Sequence, residues 1–170
     1  MKKLFIILAV LATIAPPATA RAGTSTGTLG VQMTLAGTCA VQNTTLNFGL
    51  QVNTFAAISG IGSVDVICSS GTSYSVDLDG GLHQTANIRR MYFNSGGAGP
   101  LAVDNFYGYN LYKDAAHTSV WGSCCSGSAI TGFTGNGMVQ HQPVYGSTYT
   151  VSGFSVPGIY TDTVTVTVTF

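Results

Sequence analysis

The sequence predicts an all-β domain built as a β-sandwich. Three observations carry this. Several short runs alternate apolar and polar residues with a period of two, the pattern of a half-buried strand. Turn signals such as Ser69-Ser70-Gly71, Asp79-Gly80-Gly81 and Pro157-Gly158 separate these runs. The chain contains no Glu and is rich in Thr, Ser, Gly, Val and Tyr, a composition that favours strands and turns over long helices.

The first segment stands apart from the fold. Lys2 and Lys3 precede an apolar run over residues 4–15, and Pro16-Pro17 ends it. That run is short for a bilayer span and fits the core of a secretory signal peptide. Small residues at Ala18-Thr19-Ala20 and Ala20-Arg21-Ala22 offer cleavage sites. Residues 1–22 are therefore expected to be a signal peptide, against an uncleaved membrane anchor. Its removal takes Lys2, Lys3 and Arg21 with it. Arg89, Arg90 and Lys113 then face six aspartates, a formal charge of −3. A charge-poor, mildly acidic chain lacks the clustered Lys and Arg that phosphate backbones attract, so no nucleic-acid partner is expected. No later apolar run is long enough for a transmembrane segment. About 150 residues remain, one domain's worth.

The elements follow in order. Residues 23–27 are small and polar, a flexible lead. Leu29, Val31, Met33 and Leu35 then alternate with Gly30, Gln32 and Thr34, a clear amphipathic strand pattern within residues 23–36. Gly37 punctuates, and residues 37–170 are read as the folded domain. A strand is expected around residues 39–46. In Ser63-Val64-Asp65-Val66-Ile67-Cys68, the residues Val64, Val66 and Cys68 share a face; in the next strand, Tyr74, Val76 and Leu78 do. Residues 82–104 read as irregular, with residues 95–100 a flexible loop. Residues 106–112 are aromatic and strand-like. Residues 121–137 are weakly patterned. Val144-Tyr145-Gly146 and residues 149–151 suggest a further strand. In the final run TDTVTVTVTF, Val164, Val166, Val168 and Phe170 face one way and Thr163, Thr165, Thr167 and Thr169 the other. That strand has an apolar face, and no chain follows it in the sequence to pair with its edge.

Four cysteines in an exported chain fit disulfides. Cys39 and Cys68 lie in strand patterns and suit a bridge between adjacent strands. Cys124 and Cys125 are neighbours, either a strained vicinal ring or partners for other chains.

Enzymatic chemistry finds little support. His83, His117 and His141 match no zinc spacing and read as surface or loop residues. Asp77-Leu78-Asp79-Gly80 resembles the opening of a calcium loop, but position 12 of that loop would be Ile88, so a strand end and turn is the reading. No nucleophile elbow or P-loop is present. A thiol site from Cys124 or Cys125 with a histidine is disfavoured because exported neighbouring cysteines oxidise. Trp121 with Tyr107, Tyr109 and Tyr112 could form a sugar-binding face, but Tyr107, Tyr109 and Leu111 on one face of a core strand fits better. Arg89-Arg90 reads as a solvated basic turn. No cofactor is expected.

Several short motifs, in order, carry a resemblance: Thr38-Cys39-Ala40-Val41, Leu46-Asn47-Phe48-Gly49, Val66-Ile67-Cys68, Asp79-Gly80-Gly81, Tyr109-Asn110-Leu111-Tyr112-Lys113-Asp114, Val144-Tyr145-Gly146, and the run from Gly158 to Val164. Together they make the chain resemble the spore coat protein U family, the pilin domain of archaic chaperone–usher pili. Cys124-Cys125 and the glycines around them lie outside that pattern. The resemblance implies an incomplete immunoglobulin-like β-sandwich lacking its last strand. A periplasmic chaperone would first lend a strand, and the N-terminal segment of an identical or related pilus subunit would replace it at an outer-membrane usher. Under this reading Leu29, Val31, Met33 and Leu35 are the donor strand. Val164, Val166, Val168 and Phe170 form the acceptor edge and chaperone contact. Phe170 is then both a core aromatic and the bearer of a carboxylate gripped by the chaperone. The implied role is a structural subunit at the cell surface, used in attachment and biofilm formation, with a tip or adaptor adhesin as the alternative. A second alternative is self-complementation, in which the N-terminal strand folds back into its own domain.

Overall fold

The structure, a computed structural model, describes residues 21–42, 44–52, 56–93, 106–150 and 156–170. The expected signal run at residues 4–15 and loop at residues 95–100 lie outside the described residues, as do Asp104 and Val151. The chain divides between Thr34 and Leu35. Residues 21–34 carry no secondary structure, and Leu29, Val31 and Met33 are 88%, 87% and 78% exposed. The alternation predicts a strand there, but a strand is stabilised by a ladder partner.

From Leu35 onward the chain forms two antiparallel sheets. The strands are β1 (Cys39–Val41), β2 (Leu46–Asn47), β3 (Ser59–Cys68), β4 (Ser73–Leu78), β5 (Arg89–Phe93), β6 (Phe106–Tyr112), β7 (Ile130–Thr134), β8 (Val139–Thr148), β9 (Tyr160–Thr161) and β10 (Val166–Thr169). The larger sheet runs β1-β3-β8-β6-β5-β9, with β2 also paired to β3; the smaller runs β10-β4-β7. A three-residue 3-10 turn, Ser123–Cys125, is the helical element among the described residues.

Both sheets contribute to one core. Val64, Val66 and Cys68 of β3 point inward while Ser63, Asp65 and Ile67 alternate outward; β4 does the same with Tyr74, Val76 and Leu78. Tyr109 and Leu111 of β6, Val144 of β8 and Trp121 complete it. Burying each such side chain contributes about 1.5–3 kcal/mol. Trp121 is fully buried and donates its indole N–H to Val76 O at 3.1 Å. It is a core residue and presents no ring face to a sugar.

Four expectations are corrected. Residues 82–104 are not irregular throughout, because Arg89–Phe93 is a strand paired to both β6 and β9. Its pattern is hidden because a charged residue, Arg89, takes an inward position. The expected strand at residues 39–46 is two short ones, β1 and β2, both on the same edge of β3. The weakly patterned stretch 121–137 contains β7. β8 begins well before Val144, and Pro143 is tolerated in it because there β8 pairs only with β3.

Cys39 and Cys68 are direct register partners of β1 and β3 and form a disulfide, as their strand positions predict. It closes a loop with a sequence separation of 29. Replacing both by Ser is expected to cost about 3–4 kcal/mol through the freed unfolded chain, read as a lower urea midpoint with a steeper slope, since the freed chain exposes more surface.

Candidate functional site: an apolar cleft beside the last strand

β10 is an edge strand. It pairs with β4 through Val166↔Leu78, Thr167↔Asp77, Val168↔Val76 and Thr169↔Ser75. On its other side no strand pairs with it among the described residues. The alternation of valine and threonine works as its spacing predicts: Val164, Val166 and Val168 are half-buried, while Thr163, Thr165, Thr167 and Thr169 are exposed.

Beside this edge opens a cleft of about 820 Å³. One wall is the segment around β2, including Leu46, Phe48, Leu50 and Val52. The floor is Val64, Leu78, Met91, Tyr107, Tyr109, Leu111 and Val144, drawn from both sheets. The far wall is Ile159, Tyr160, Val164 and Val166. Phe48 meets Tyr109 edge-on with ring centres 6.2 Å apart, and Tyr107 meets Tyr160 at 5.9 Å. The inner face of the core is thus open along a line between β2 and β10. The β2 wall closes over β8 only because residue 146 is glycine; a Cβ there would press on the Phe48 ring and Leu46.

A polar frame fixes the chain leading into β10. Asp162 accepts hydrogen bonds from Tyr109 Oη at 2.8 Å, Leu82 N at 3.0 Å and Thr163 N at 2.9 Å. Burial pushes the Tyr109 phenol well above its ordinary range, and the Asp162 carboxylate adds to this, so Tyr109 stays protonated and donates. Gly81 lies against the Asp162 carboxylate with φ +75°, where a Cβ would collide; this explains the Asp79-Gly80-Gly81 turn. Asp79 accepts from Gly81 N at 2.9 Å and Thr165 N at 2.8 Å, while its own N–H donates to Thr165 O at 3.0 Å. Asp77 and Asp79 therefore serve the strand end and turn.

Burial raises the Asp79 carboxyl, but hydrogen bonds from Thr165 and Gly81 and the charge of Arg89 outweigh it and leave it below the ordinary carboxylate range. A lowered folded value means the contribution is complete above the unfolded value, about 3.9, and is lost as pH falls through the folded one. Thermal stability is therefore expected to fall as the pH drops below about 4, and Asp79→Asn to flatten that part of the melting-temperature profile.

Arg89 corrects the expectation of a solvated basic turn. It is fully buried, facing inward beside Tyr109. Its guanidinium donates to Asp79 O at 2.8 Å, Asn110 Oδ1 at 2.7 Å, Leu78 O at 3.2 Å and Trp121 O at 2.9 Å. Carbonyl dipoles from the end of β4 and from residue 121 solvate the charge in place of water. Arg90 sits at the surface, its guanidinium carbon 4.1 Å above the Phe106 ring centre.

Residues 25–167 match the family model described as the Spore Coat Protein U domain. The chain belongs to that family. This Spore Coat Protein U domain is also similar to one chain in the crystal structure of the CsuC–CsuE chaperone–tip adhesion subunit pre-assembly complex, from the archaic chaperone–usher Csu pili of Acinetobacter baumannii. The TM-score is 0.53 and the identity 26%, over 81% of this chain and 40% of that one. The domain thus spans less than half of that neighbour's length. No curated protein matches it.

The Spore Coat Protein U domain brings some of the sequence-predicted residues together and separates others. Val164 and Val166 line the cleft, and Val168 packs on the core nearby. Phe170 does not enter the core. It follows the end of β10, is 61% exposed and borders a separate hollow of about 330 Å³. Tyr74 and Phe133, stacked at 5.1 Å, fill that end of the smaller sheet, so its reading as a core aromatic is corrected. Leu35 is exposed with Leu29, Val31 and Met33. Cys124 and Cys125 pair with each other across one peptide bond. His83, His117 and His141 do not converge, and among the described residues no three His, Cys, Asp or Glu side chains gather as a metal site. No described helix is long and apolar enough to cross a membrane. Sequence reasoning missed Arg89, Met91 and Phe48; only Phe48, inside a quoted motif, carried a signal.

Proposed function

We propose that this chain is a structural subunit of a chaperone–usher pilus that polymerises head-to-tail by donor-strand exchange. The observation that carries the reading is the apolar cleft lying open beside the unpaired edge of β10. In this reading the fold is an immunoglobulin-like sandwich missing its last strand. An unpaired edge with an apolar face is an aggregation hazard unless another strand covers it. A strand from a second molecule satisfies both the backbone groups of β10 and the cleft. Leu29, Val31, Met33 and Leu35 supply four side chains on one face of such a strand, a gross gain of about 6–12 kcal/mol. The partner uses a different surface from the one it offers, so the contact does not close and builds a fibre.

Family membership and the Csu neighbour support the same reading. A periplasmic chaperone fills the cleft before assembly, in contact with Val164, Val166, Val168 and the carboxylate of Phe170. An outer-membrane usher exports the subunit to the surface, where the fibre serves attachment and biofilm formation. The neighbour's description as a tip adhesion subunit favours a tip role. The alternating apolar residues at 29–35, apt for a donor, favour a shaft or adaptor position instead. The test is to express the exported protein with and without residues 24–35. Polymers are expected only with the segment, and a peptide of residues 24–35 added in excess is expected to block them. Polymers formed equally well without the segment would overturn the reading.

A further inference from the structure

We propose that the Cys124–Cys125 pair is a redox-sensitive clasp that sets the packing of the acceptor edge, opened by an exported dithiol and closed by an exported disulfide. It rests on the strand-acceptor reading for its consequence, though not for its chemistry. The two cysteines end the 3-10 turn Ser123–Cys125, and the residues on either side, Gly122 at φ 122° and Ser126 at φ 60°, hold conformations that L side chains rarely adopt. The turn is closed on itself by Cys125 N and Gly127 N, which donate to Gly122 O at 3.3 and 3.2 Å, and it is also fastened to β4. Ser123 donates its N–H to the Asp77 carboxylate at 3.1 Å, and its hydroxyl donates there too. Gln84 donates to Cys124 O at 3.2 Å. Arg89 Nη2 contacts Cys124 Sγ at 3.4 Å while also holding Leu78 O and Trp121 O. Leu78 in turn pairs with Val166 of the acceptor edge. One guanidinium thus touches the cysteine ring, the single tryptophan's backbone and the strand that carries β10.

The chemistry has a direction. Cys125 is buried and Cys124 partly accessible, so an incoming thiolate reaches Cys124 Sγ. The S–S bond breaks, and Cys125 leaves as a thiolate that takes up a proton. The reductant's second thiolate attacks the mixed disulfide, leaves as a disulfide itself, and releases the Cys124 thiolate beside the Arg89 cation, which stabilises it until it is protonated or recaptured. Two electrons pass to the protein and two thiols result. A ring closed between adjacent residues, with Cα atoms 3.8 Å apart, falls below the usual span, and its Cys124 side is the partly accessible one, which favours exchange there. The Cys39–Cys68 bridge, between paired strands with Cys68 buried, is the slow internal reference.

The experiment uses the full exported chain under graded dithiothreitol, with alkylation and mass mapping, emission from Trp121 and binding of the residue 24–35 peptide. Cys124 and Cys125 are expected to take up two alkyl groups before Cys39 and Cys68 take up any. Trp121 emission shifts in the same step, and peptide affinity falls about five- to tenfold. The Cys124→Ser/Cys125→Ser double variant is expected to show the reduced behaviour without reductant. Free thiols at both positions before reduction would overturn the clasp, as would a ring that opens with neither Trp121 emission nor peptide binding changing. If the peptide binds in neither state, the strand-acceptor reading falls on its own. Trp121 emission then decides the clasp: a shift on ring opening supports it, and none overturns it.

Discussion

Val31→Asp and Met33→Asp are each expected to abolish polymer formation while leaving the domain able to bind its chaperone. Both side chains are exposed in the single chain, so the substitution costs its folding almost nothing. In the assembled fibre each would lose about 1.5–3 kcal/mol of apolar burial. Each would also place a carboxylate without a partner in an apolar cleft, a further cost of several kcal/mol. A deficit of about 5 kcal/mol lowers the exchange equilibrium by more than a thousandfold. Electron microscopy of surface fibres and co-purification with the chaperone measure the two halves. Loss of chaperone binding along with fibres would point to misfolding. Fibres at normal density would remove these residues from the donor role.

Arg89→Met is expected to destabilise the folded domain by about 3–5 kcal/mol, although the substitute is apolar and similar in length. The loss lies in the acceptors left behind. Asp79 O, Leu78 O, Trp121 O and Asn110 Oδ1 all face the guanidinium. Without it, the buried Leu78 carbonyl loses its donor where water cannot reach it, and the partly buried Asp79 carbonyl loses one as well. Arg89→Lys is expected to recover little, because an ammonium presents three donors from one point where the guanidinium forks to four sites. Urea unfolding of the peptide-complemented domain measures both. A change below about 1 kcal/mol for Arg89→Met would show that the network contributes nothing to stability.

The parts of this fold legible in the sequence are those where burial and period coincide. β3, β4 and β10 alternate cleanly, because each has one face on the core and one in water. The Cys39–Cys68 bridge follows from the same logic, since both residues sit in strand patterns. β5 was illegible because a cation occupies an inward position, and its solvation by backbone carbonyls is a three-dimensional fact with no local signal. β2 was illegible for the opposite reason: it is too short to show a period. The cleft shares that difficulty. Val164 and Val166 can be read from alternation, but Met91, Tyr107 and Phe48 come from three separate stretches that only the sheet order brings together. Phe170 shows the limit of extending a pattern: alternation continues to the last residue, yet the strand ends one residue earlier and the ring faces solvent.

Covalent trapping in assembled fibres tests the central claim most directly. A photo-cross-linking residue at position 31 is introduced, and fibres are grown from an equal mixture of isotopically light and heavy subunits. The account predicts cross-links from position 31 to the Val164 and Val166 region, with light–heavy pairs making up about half of them, as random mixing of separate chains requires. Cross-links found only within chains of one isotope would mean that each subunit fills its own cleft, and the fibre mechanism proposed for this chain would be wrong.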